Sequence, residues 1–216
     1  MSACGFVIFD FDGTVADTGE GILKSLQYSF EQMGREIPDM SDLKRFIGPP
    51  VYYSYTHFYG VSENEVEEYI RKYRERYKQK GIYECAVYDG IKELLTELKK
   101  RGVKLGIASS KPEHLIYSVA DYLQLTDMFD AIAGVKSDNS RHSTKKDIIL
   151  EAMEALGADE KQRVLMVGDR CFDIDGAAAA GVKSCGALWG YGNKEEFIAH
   201  KADFIAEKPL DVLKYL

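Results

Sequence analysis

The chain has 216 residues, of which 45% are hydrophobic and 29% charged, so it can form one large domain or one domain with an insertion. The net charge of −7 argues against nucleic acid or an anionic membrane as the main partner. No stretch is long and apolar enough to span a bilayer, and the first residues lack a basic signal region, so we expect a cytoplasmic protein. The four cysteines show neither C-x-x-C nor zinc-type spacing, which favours idle thiols in a reducing compartment.

Short apolar runs alternate with helical patterns along most of the chain. These runs are apolar at consecutive positions, as strands covered on both faces of a parallel sheet require. The predicted strands are Phe6–Asp10, Val103–Ser109, Ala131–Ala133, Val164–Val167, Lys183–Ala187 and Asp203–Ala206. The helices predicted between them are Ile91–Arg101, Pro112–Tyr122, Thr144–Leu156 and Phe172–Ala180. The alternation predicts an α/β fold with a doubly wound, mainly parallel, Rossmann-like sheet.

Residues 18–83 interrupt this alternation, because no second strand is predicted for about 90 residues after the first. The segment shows only helical patterns, over Gly21–Met33, Asp42–Phe46, Tyr52–Tyr59 and Glu63–Lys80. It has equal numbers of acidic and basic residues, so the excess acid lies in the flanking segments. We therefore predict an all-helical domain, residues 18–83, inserted into an α/β core formed by residues 1–17 and 84–216.

Two acidic residues end the first predicted strand. In an extended chain Asp10 and Asp12 point to the same side, at the carboxyl end of the sheet, where doubly wound folds bind ligands. Gly13 then allows a sharp turn before Thr14. Two neighbouring carboxylates stay ionised together when a cation joins them, and oxygen ligands near a phosphate favour Mg²⁺. The alternative is a solvated turn without chemistry.

Later strands end in polar residues as well. Gly168 and Asp169 end the strand Val164–Val167, and Asp173 follows in the first helical turn. A parallel neighbour would bring Asp169 to the same edge as Asp10, as a third oxygen ligand for a metal. An N-cap with an acidic first turn explains each of these residues singly, but not acids at the ends of both strands.

Two further segments offer groups for an anion. Ser109 and Ser110 end one strand and open a helix, where hydroxyl and backbone N–H groups bind phosphate. Lys145 begins another helix, where a cation opposes the helix dipole, so we interpret it as a counter-charge for a phosphoryl group. Lys146 is a rival for that role.

These segments, in this order and at strand ends, resemble the four motifs of the haloacid dehalogenase-like hydrolase superfamily. The resemblance covers residues 1–17 and 84–216, and the segment 188–192 is similar to the phosphoglycolate phosphatase-like subgroup, whose mobile helical cap the insertion resembles. It implies an Mg²⁺-dependent phosphatase acting on a small phosphorylated metabolite through an aspartyl-phosphate.

The resemblance also implies a role for each motif residue. Asp10 would be the nucleophile and Asp12 the acid and base; Ser109, Ser110 and Lys145 would bind the phosphoryl oxygens. Mg²⁺ would be held by Asp10, the backbone carbonyl of Asp12, and Asp169, with Thr14, Gly168 and Asp173 in support. Two positions depart from the family pattern: Ser110 replaces a frequent asparagine, and Lys146 replaces a proline that often follows the lysine.

The segment from Arg45 to Pro50 is the best candidate for a substrate loop of the insertion. Arg45 or Lys44 would meet a substrate anion. The resemblance implies that this loop, which contains Gly48 and Pro49, closes over the phosphate site. A surface charge on a helix is the competing interpretation of Arg45. The aromatic residues between Tyr52 and Tyr59 have a spacing that is more typical of side chains packed in a hydrophobic core than of a ligand-binding site.

Two other functions remain open. A sugar-phosphate mutase of the β-phosphoglucomutase kind shares the core, although the insertion shows no clear mutase-like pattern. A catalytically inactive nucleotide-binding or scaffold module belongs to a different class. The absence of G-x-G-x-x-G after the first strand and the presence of both Asp10 and Asp12 argue against it.

Overall fold

The computed structural model describes residues 4–136 and 144–216. Its strands are β1 (Phe6–Phe9), β2 (Ala16–Asp17), β3 (Ala86–Val87), β4 (Lys104–Pro112), β5 (Ala131–Val135), β6 (Val164–Gly168), β7 (Lys183–Ala187) and β8 (Phe204–Ala206). Its α-helices are α1 (Gly19–Gln32), α2 (Met40–Leu43), α3 (Val51–Tyr59), α4 (Glu63–Gln79), α5 (Ile91–Lys100), α6 (Glu113–Tyr122), α7 (Lys145–Leu156), α8 (Cys171–Ala180) and α9 (Lys194–Ala199). Among these described residues, no helix is long and apolar enough to cross a membrane.

Six strands form one parallel sheet in the order β5–β4–β1–β6–β7–β8. Helices cover both of its faces: Val7 and Phe9 pack in one hydrophobic cluster with α5, whereas Ile8 packs in another with α7. The predicted α/β, doubly wound fold is confirmed. Phe9 of β1 lies opposite Ile107 of β4 and Val167 of β6, so the three central strands end at the same edge.

Strand β4 runs further than the sequence predicts. Its pairing with β5 shifts register between Ala108 and Pro112, and the chain stays extended to Pro112. Pro112 has an extended backbone and caps α6, which therefore begins at Glu113 rather than at the proline. The extension carries Ser109 and the two residues after it beyond the edge of the sheet.

Helices α1 to α4 lie between β2 and β3 in the chain, and we call residues 18–83 the insertion. Phe30 of α1 stacks edge-on against Tyr69 of α4, at 5.3 Å between ring centroids, and Tyr55 of α3 is fully buried beside both. These aromatic residues form the core of the insertion. The lengths of helices α1, α3 and α4 agree with the sequence patterns to within two residues at each end.

The expectation of a long strand-free stretch after β1 is wrong at both ends of the insertion. Ala16 pairs with Val87 and Asp17 with Ala86 in an antiparallel ribbon. Two-residue strands are too short to produce a periodicity, so the sequence pattern could not reveal them. The ribbon lies close to the predicted boundaries between the core and the insertion, after residue 17 and before residue 84. Both connections between the core and the insertion run through it.

Candidate active site

Asp10 follows β1 directly and is almost fully buried. Its backbone N–H donates to the Val167 carbonyl at 2.8 Å, which ties it to the neighbouring strand. Its Oδ1 lies 2.9 Å from Lys145 Nζ, and the same ammonium lies 2.7 Å from Asp173 Oδ1. Burial raises the pKa of Asp10 to about 6, because Lys145 only partly offsets the loss of water. Asp10 therefore sits in an ionic cluster that one ammonium does not neutralise.

Lys145 reaches this cluster from the first residue of α7. The helix begins there because Thr144 caps it: Asp147 N–H donates to Thr144 Oγ1 at 3.3 Å, and Thr144 N–H donates back to the Asp147 carboxylate at 3.1 Å. Burial lowers the pKa of Lys145, but the two contacting carboxylates outweigh it and the net shift is upward. Lys146 is exposed, so the structure places Lys145 rather than its rival in the site.

Asp12 faces a different set of partners from Asp10. Thr18 Oγ1 donates to Asp12 Oδ1 at 2.7 Å, and Lys111 Nζ donates to both carboxylate oxygens at 3.0 Å. Because its hydroxyl is used in this way, Thr18 does not cap α1 with its side chain. The turn that follows depends on Gly13, whose φ is +87° and which has no room for a side chain. The Asp12 carboxylate is thereby held away from the Asp10 cluster.

Asp169 follows β6 and has no exposed surface. Thr14 Oγ1 donates to its Oδ1 at 3.0 Å, and the Tyr191 backbone N–H donates to its Oδ2 at 2.9 Å. Burial, and then the charges of Asp173 and Asp10, raise its pKa well above the usual range for an aspartate. The two hydrogen bonds orient this carboxylate, but no cation among the described residues pairs with it.

Asp173 is the third carboxylate of the cluster and lies in the first turn of α8. It pairs with Lys145, and the Arg170 backbone N–H donates to its Oδ2 at 3.0 Å. A Cβ at Gly168 would come within 2.2 Å of Asp173 Cγ. Position 168 therefore has to be glycine for the helix to bring this carboxylate so close to the end of β6.

The residues at the end of β4 line the opposite side of the site. Ser109 is 2% exposed, and its Oγ accepts a hydrogen bond from the Lys111 backbone N–H at 3.4 Å. With its oxygen engaged, the Ser109 hydroxyl can direct its proton towards a bound anion. Ser110 lies beside it and is partly buried.

A cavity of about 80 Å³ separates these residues from the insertion. Its core wall carries polar residues at the ends of β1 and β4, together with Pro112 and Leu115; the polar ones are Asp10, Asp12, Ser109, Ser110 and Lys111. Its insertion wall is mostly apolar and aromatic and includes Phe46, Gly48, Pro49, Ile70, Tyr73 and Tyr77. Asp10 is the residue that belongs both to this lining and to the buried ionic cluster.

The predicted substrate loop of the insertion is divided between two environments. Gly48 and Pro49 line the cavity, and Gly48 has a φ of +106°, in the left-handed region that favours glycine. Arg170 of the core donates from Nη1 to the Ile47 carbonyl at 2.7 Å, which ties the loop to the core. Arg45 is absent from the described lining of the cavity, and its guanidinium lies 4.4 Å from the centre of the Phe58 ring.

Three of the carboxylates fit a metal ion. Ligand oxygens of Asp10, Asp169 and Asp173 all lie within 4.8 Å of one another, and all three residues are buried. Asp10 Oδ1 is buried without a hydrogen bond of regular geometry to the described residues, although it lies beside Lys145. An all-oxygen donor set with excess negative charge matches Mg²⁺ chemistry. The Asp12 side chain, predicted at the same edge, lies outside this group and contacts Lys111 instead.

Several residues near the site had no predicted role. Lys111 contacts Asp12, Tyr77 contacts Lys111, Arg170 contacts the insertion, and Tyr191 contacts Asp169. Lys111 and Arg170 stand next to predicted motif residues, and that adjacency was the available signal. No sequence pattern pairs Tyr77 with a core lysine.

The family model of the haloacid dehalogenase-like hydrolases matches residues 7–187. The chain therefore belongs to this family, and the predicted resemblance is confirmed. Three curated relatives cover most of the chain. A 5′-nucleotidase of Pseudomonas aeruginosa is 37% identical over 90% of this chain and 87% of its own. The tyrosine-protein kinase PtkA of Mycobacterium tuberculosis is 34% identical over 97% of this chain and 68% of its own. A phosphoglycolate phosphatase of Aquifex aeolicus is 30% identical over 97% of this chain and 95% of its own.

Solved structures agree with these relatives. The crystal structure of a predicted phosphatase from Clostridium acetobutylicum superposes with a TM-score of 0.93 and is 37% identical, covering 99% of this chain and 98% of its own. The family, the relatives named as 5′-nucleotidase and phosphoglycolate phosphatase, and this solved structure identify the chain as an enzyme of the phosphatase type within this family. This confirms the predicted enzyme class.

Proposed function

We propose that the protein is an Mg²⁺-dependent phosphomonoesterase that hydrolyses a small phosphorylated metabolite through an aspartyl-phosphate on Asp10. The observation that carries this proposal is the position of Asp10, which lines the cavity on one side and joins the buried ionic cluster on the other. A carboxylate in that position can meet a substrate phosphorus while the cluster behind it holds the counter-charge. Phosphoryl transfer depends mainly on such positioning and charge neutralisation.

In the first half of the reaction, an Asp10 carboxylate oxygen attacks phosphorus and the bond to the leaving-group oxygen breaks. Asp12 gives its proton to that oxygen, so that the product leaves as an alcohol. Ser109 and Ser110 line the cavity where hydroxyl groups can donate to the phosphoryl oxygens. Lys145, which contacts Asp10, balances the charge of the transferred group.

In the second half, water attacks the phosphorus of the aspartyl-phosphate and Asp12 takes the proton of that water. The bond from phosphorus to Asp10 breaks, phosphate departs, and the Asp10 carboxylate is restored. Asp12 has separate partners in Lys111 and Thr18, so it is free of the nucleophile's ion pair.

The predicted metal site uses the carboxylates of Asp10 and Asp169 and the backbone carbonyl of Asp12. Bound Mg²⁺ would neutralise negative charge between the substrate phosphate and these carboxylates. Asp173 orients Lys145 through their ion pair, and Thr14 orients Asp169. Gly168 makes room for Asp173.

The insertion, residues 18–83, is proposed to act as a cap over the phosphate site. Gly48 and Pro49 would contact the substrate from the cavity wall. Arg45 would reach a substrate anion only by leaving the ring of Phe58. A closed cap excludes bulk water and thereby strengthens the electrostatic interactions at the phosphate.

The substrate is proposed to be a small phosphomonoester, with nucleoside monophosphates and phosphoglycolate as the first compounds to test. One relative is named a 5′-nucleotidase and another a phosphoglycolate phosphatase. The acidic chain and its hydropathy support the expected absence of nucleic-acid and membrane partners and the cytoplasmic location, which stay predictions.

A panel of phosphorylated metabolites with and without Mg²⁺, measured as released phosphate, tests this function. We expect Mg²⁺-dependent release for at least one compound, and its loss in Asp10→Asn, which keeps the shape of the side chain. Normal turnover in Asp10→Asn would exclude Asp10 as the nucleophile. An isomerised sugar phosphate without free phosphate would instead favour the mutase alternative.

A further inference from the structure

Lys111 has no established task, yet it is one of the most completely paired buried charges among the described residues. It is 7% exposed, at the extended end of β4. Its ammonium donates to Asp12 Oδ1 and Oδ2 at 3.0 Å each and to Tyr77 Oη at 2.7 Å. An ammonium has three donors, and all three are used. Removing any partner would leave a buried donor or acceptor without its hydrogen bond.

The partners of Lys111 come from the two walls of the cavity. Asp12 belongs to the core loop after β1, and Tyr77 belongs to α4 of the insertion. Tyr77 is 1% exposed and its ring stacks on Tyr73, 5.5 Å away and nearly parallel. Burial and this ring contact fix the position of its hydroxyl within the insertion. Lys111 makes the contact between that helix and the predicted acid–base group.

The two oxygens of Asp12 are not equivalent in this arrangement. Oδ1 accepts from both Thr18 and Lys111, whereas Oδ2 accepts only from Lys111 among the described donors. The carboxylate is thus held in one rotational position, with most free acceptor capacity on Oδ2. A group that transfers a proton needs this kind of fixed orientation towards the leaving-group oxygen.

We propose that Lys111 is a positioning residue that orients the Asp12 carboxylate for proton transfer when Tyr77 of the insertion covers it. The inference rests on the proposed function of Asp12 as acid and base. Lys111 acts through Asp12 rather than on phosphorus. Its loss therefore affects substrates according to how much they need a proton on the leaving group.

Two aryl phosphates provide the test. 4-Nitrophenolate is a weakly basic leaving group and needs little protonation, whereas phenolate is far more basic and needs it strongly. The value of kcat/KM reports the step in which the leaving group departs. In Lys111→Met we expect kcat/KM to fall about 100-fold for phenyl phosphate and less than about 10-fold for 4-nitrophenyl phosphate, since acid catalysis contributes about 10²–10⁴-fold.

Tyr77→Phe tests the contribution of the insertion without removing a charge, and it serves if Lys111→Met does not fold. We expect a smaller loss of kcat/KM that again affects phenyl phosphate more. The loss should be roughly 3–10-fold for phenyl phosphate and less than about twofold for 4-nitrophenyl phosphate. Lys146→Met is the matched control, because it removes an exposed lysine and should leave both values unchanged. Circular dichroism and thermal melting of each variant establish folding.

Equal losses for the two substrates in folded Lys111→Met, or no loss, would overturn the inference. Equal losses in Tyr77→Phe would remove the coupling to the insertion. Asp12→Asn is measured in parallel: wild-type values there would refute the proposed acid–base role itself. An inactive Asp12→Asn together with a fully active Lys111→Met would refute only the role of Lys111.

Discussion

The core wall of the cavity carries carboxylates, hydroxyls and a lysine, whereas the insertion wall carries mainly apolar and aromatic side chains. On the core side, carboxylates are fixed by polar partners from other elements: Asp169 by Thr14 and Tyr191, and Asp10 by Lys145 of α7. On the insertion side, aromatic packing is joined by hydrogen bonds to the core, at Tyr77 and at the Ile47 carbonyl. Under the proposed function, we expect the polar core wall to carry the chemistry and to tolerate little change, and the insertion wall to influence substrate choice.

Metal removal should have the largest effect on activity. It should act on the carboxylates of the core and not on the insertion wall. We expect chelation to reduce phosphate release by about 10³-fold or more, since the carboxylates then lack their counter-charge. Independently of activity, Mg²⁺ should raise the melting temperature, by an amount equivalent to about 2.7 kcal/mol at 100 times its Kd. Thermal melts against Mg²⁺ concentration measure this.

Asp169→Asn should abolish that stabilisation by Mg²⁺, whereas Asp121→Asn, at an exposed position outside the site, should keep it. An undiminished rise of the melting temperature in Asp169→Asn would place the metal elsewhere.

Lys145→Met should be the next most damaging change. It leaves Asp10 and Asp173 buried without their cation, and breaking a buried ion pair in this way costs about 3–5 kcal/mol. We expect a loss of this order in urea unfolding without metal, together with roughly 10³-fold lower activity. Lys146→Met should change the free energy of unfolding by less than about 0.5 kcal/mol. Equal stabilities of the two variants would contradict the assignment of Lys145.

Arg170→Met tests the tie between the two walls. The substitution removes the hydrogen bond to the Ile47 carbonyl, so the loop carrying Gly48 should be held less firmly over the substrate. We expect KM to rise roughly 10-fold while kcat changes less than about threefold. Steady-state kinetics measure both. Arg35→Met, which removes an exposed ion pair with Glu65, is the control and should leave KM unchanged. A fall confined to kcat would refute a binding role.

Ile70→Val should have the smallest effect on activity. Its effect should appear as a change in the preference between substrates. Removing one methyl group from the insertion wall costs about 0.5–1.5 kcal/mol of stability. We expect the ratio of kcat/KM between two good substrates to change about 2–5-fold. Ile116→Val is the control: Ile116 is also buried but is not among the residues that line the cavity, so it should lose stability without changing that ratio. An equal ratio of kcat/KM in Ile70→Val and Ile116→Val would show that the insertion wall does not select the substrate.

The sequence predicted that the residues after β1 and β6 lie at one edge of the sheet, because strand ends are local features. Asp10 and Asp169 each follow an apolar run, and parallel pairing alone brings such residues to one edge. The fold class followed from the same alternation. Lys145 was favoured over Lys146 by its place at the start of a helix, where a cation opposes the helix dipole, and by the resemblance to the family pattern. Its contact with Asp10 depends on how α7 packs.

Side-chain contacts that depend on how helices and loops pack could not be predicted. The pairing of Lys111 with Asp12 and Tyr77 joins residues 99 and 34 positions apart, which no periodicity encodes. Arg45 stays the predicted contact of a substrate anion, and its guanidinium lies over the Phe58 ring, a contact that no spacing in the sequence indicates. The ribbon of Ala16 and Val87 was too short to give a pattern.

That ribbon has a consequence for how the molecule can be altered. Asp17 and Ala86 face each other in antiparallel pairing. The chain therefore leaves the α/β core and returns to it at two neighbouring backbone positions. Antiparallel neighbours can be connected by a two-residue turn. We expect that a short hairpin could replace everything between them without moving any strand of the large sheet. Inserted helical domains of other sizes could be joined to the core at the same two positions, Asp17 and Ala86, which makes this ribbon a suitable site for domain replacement.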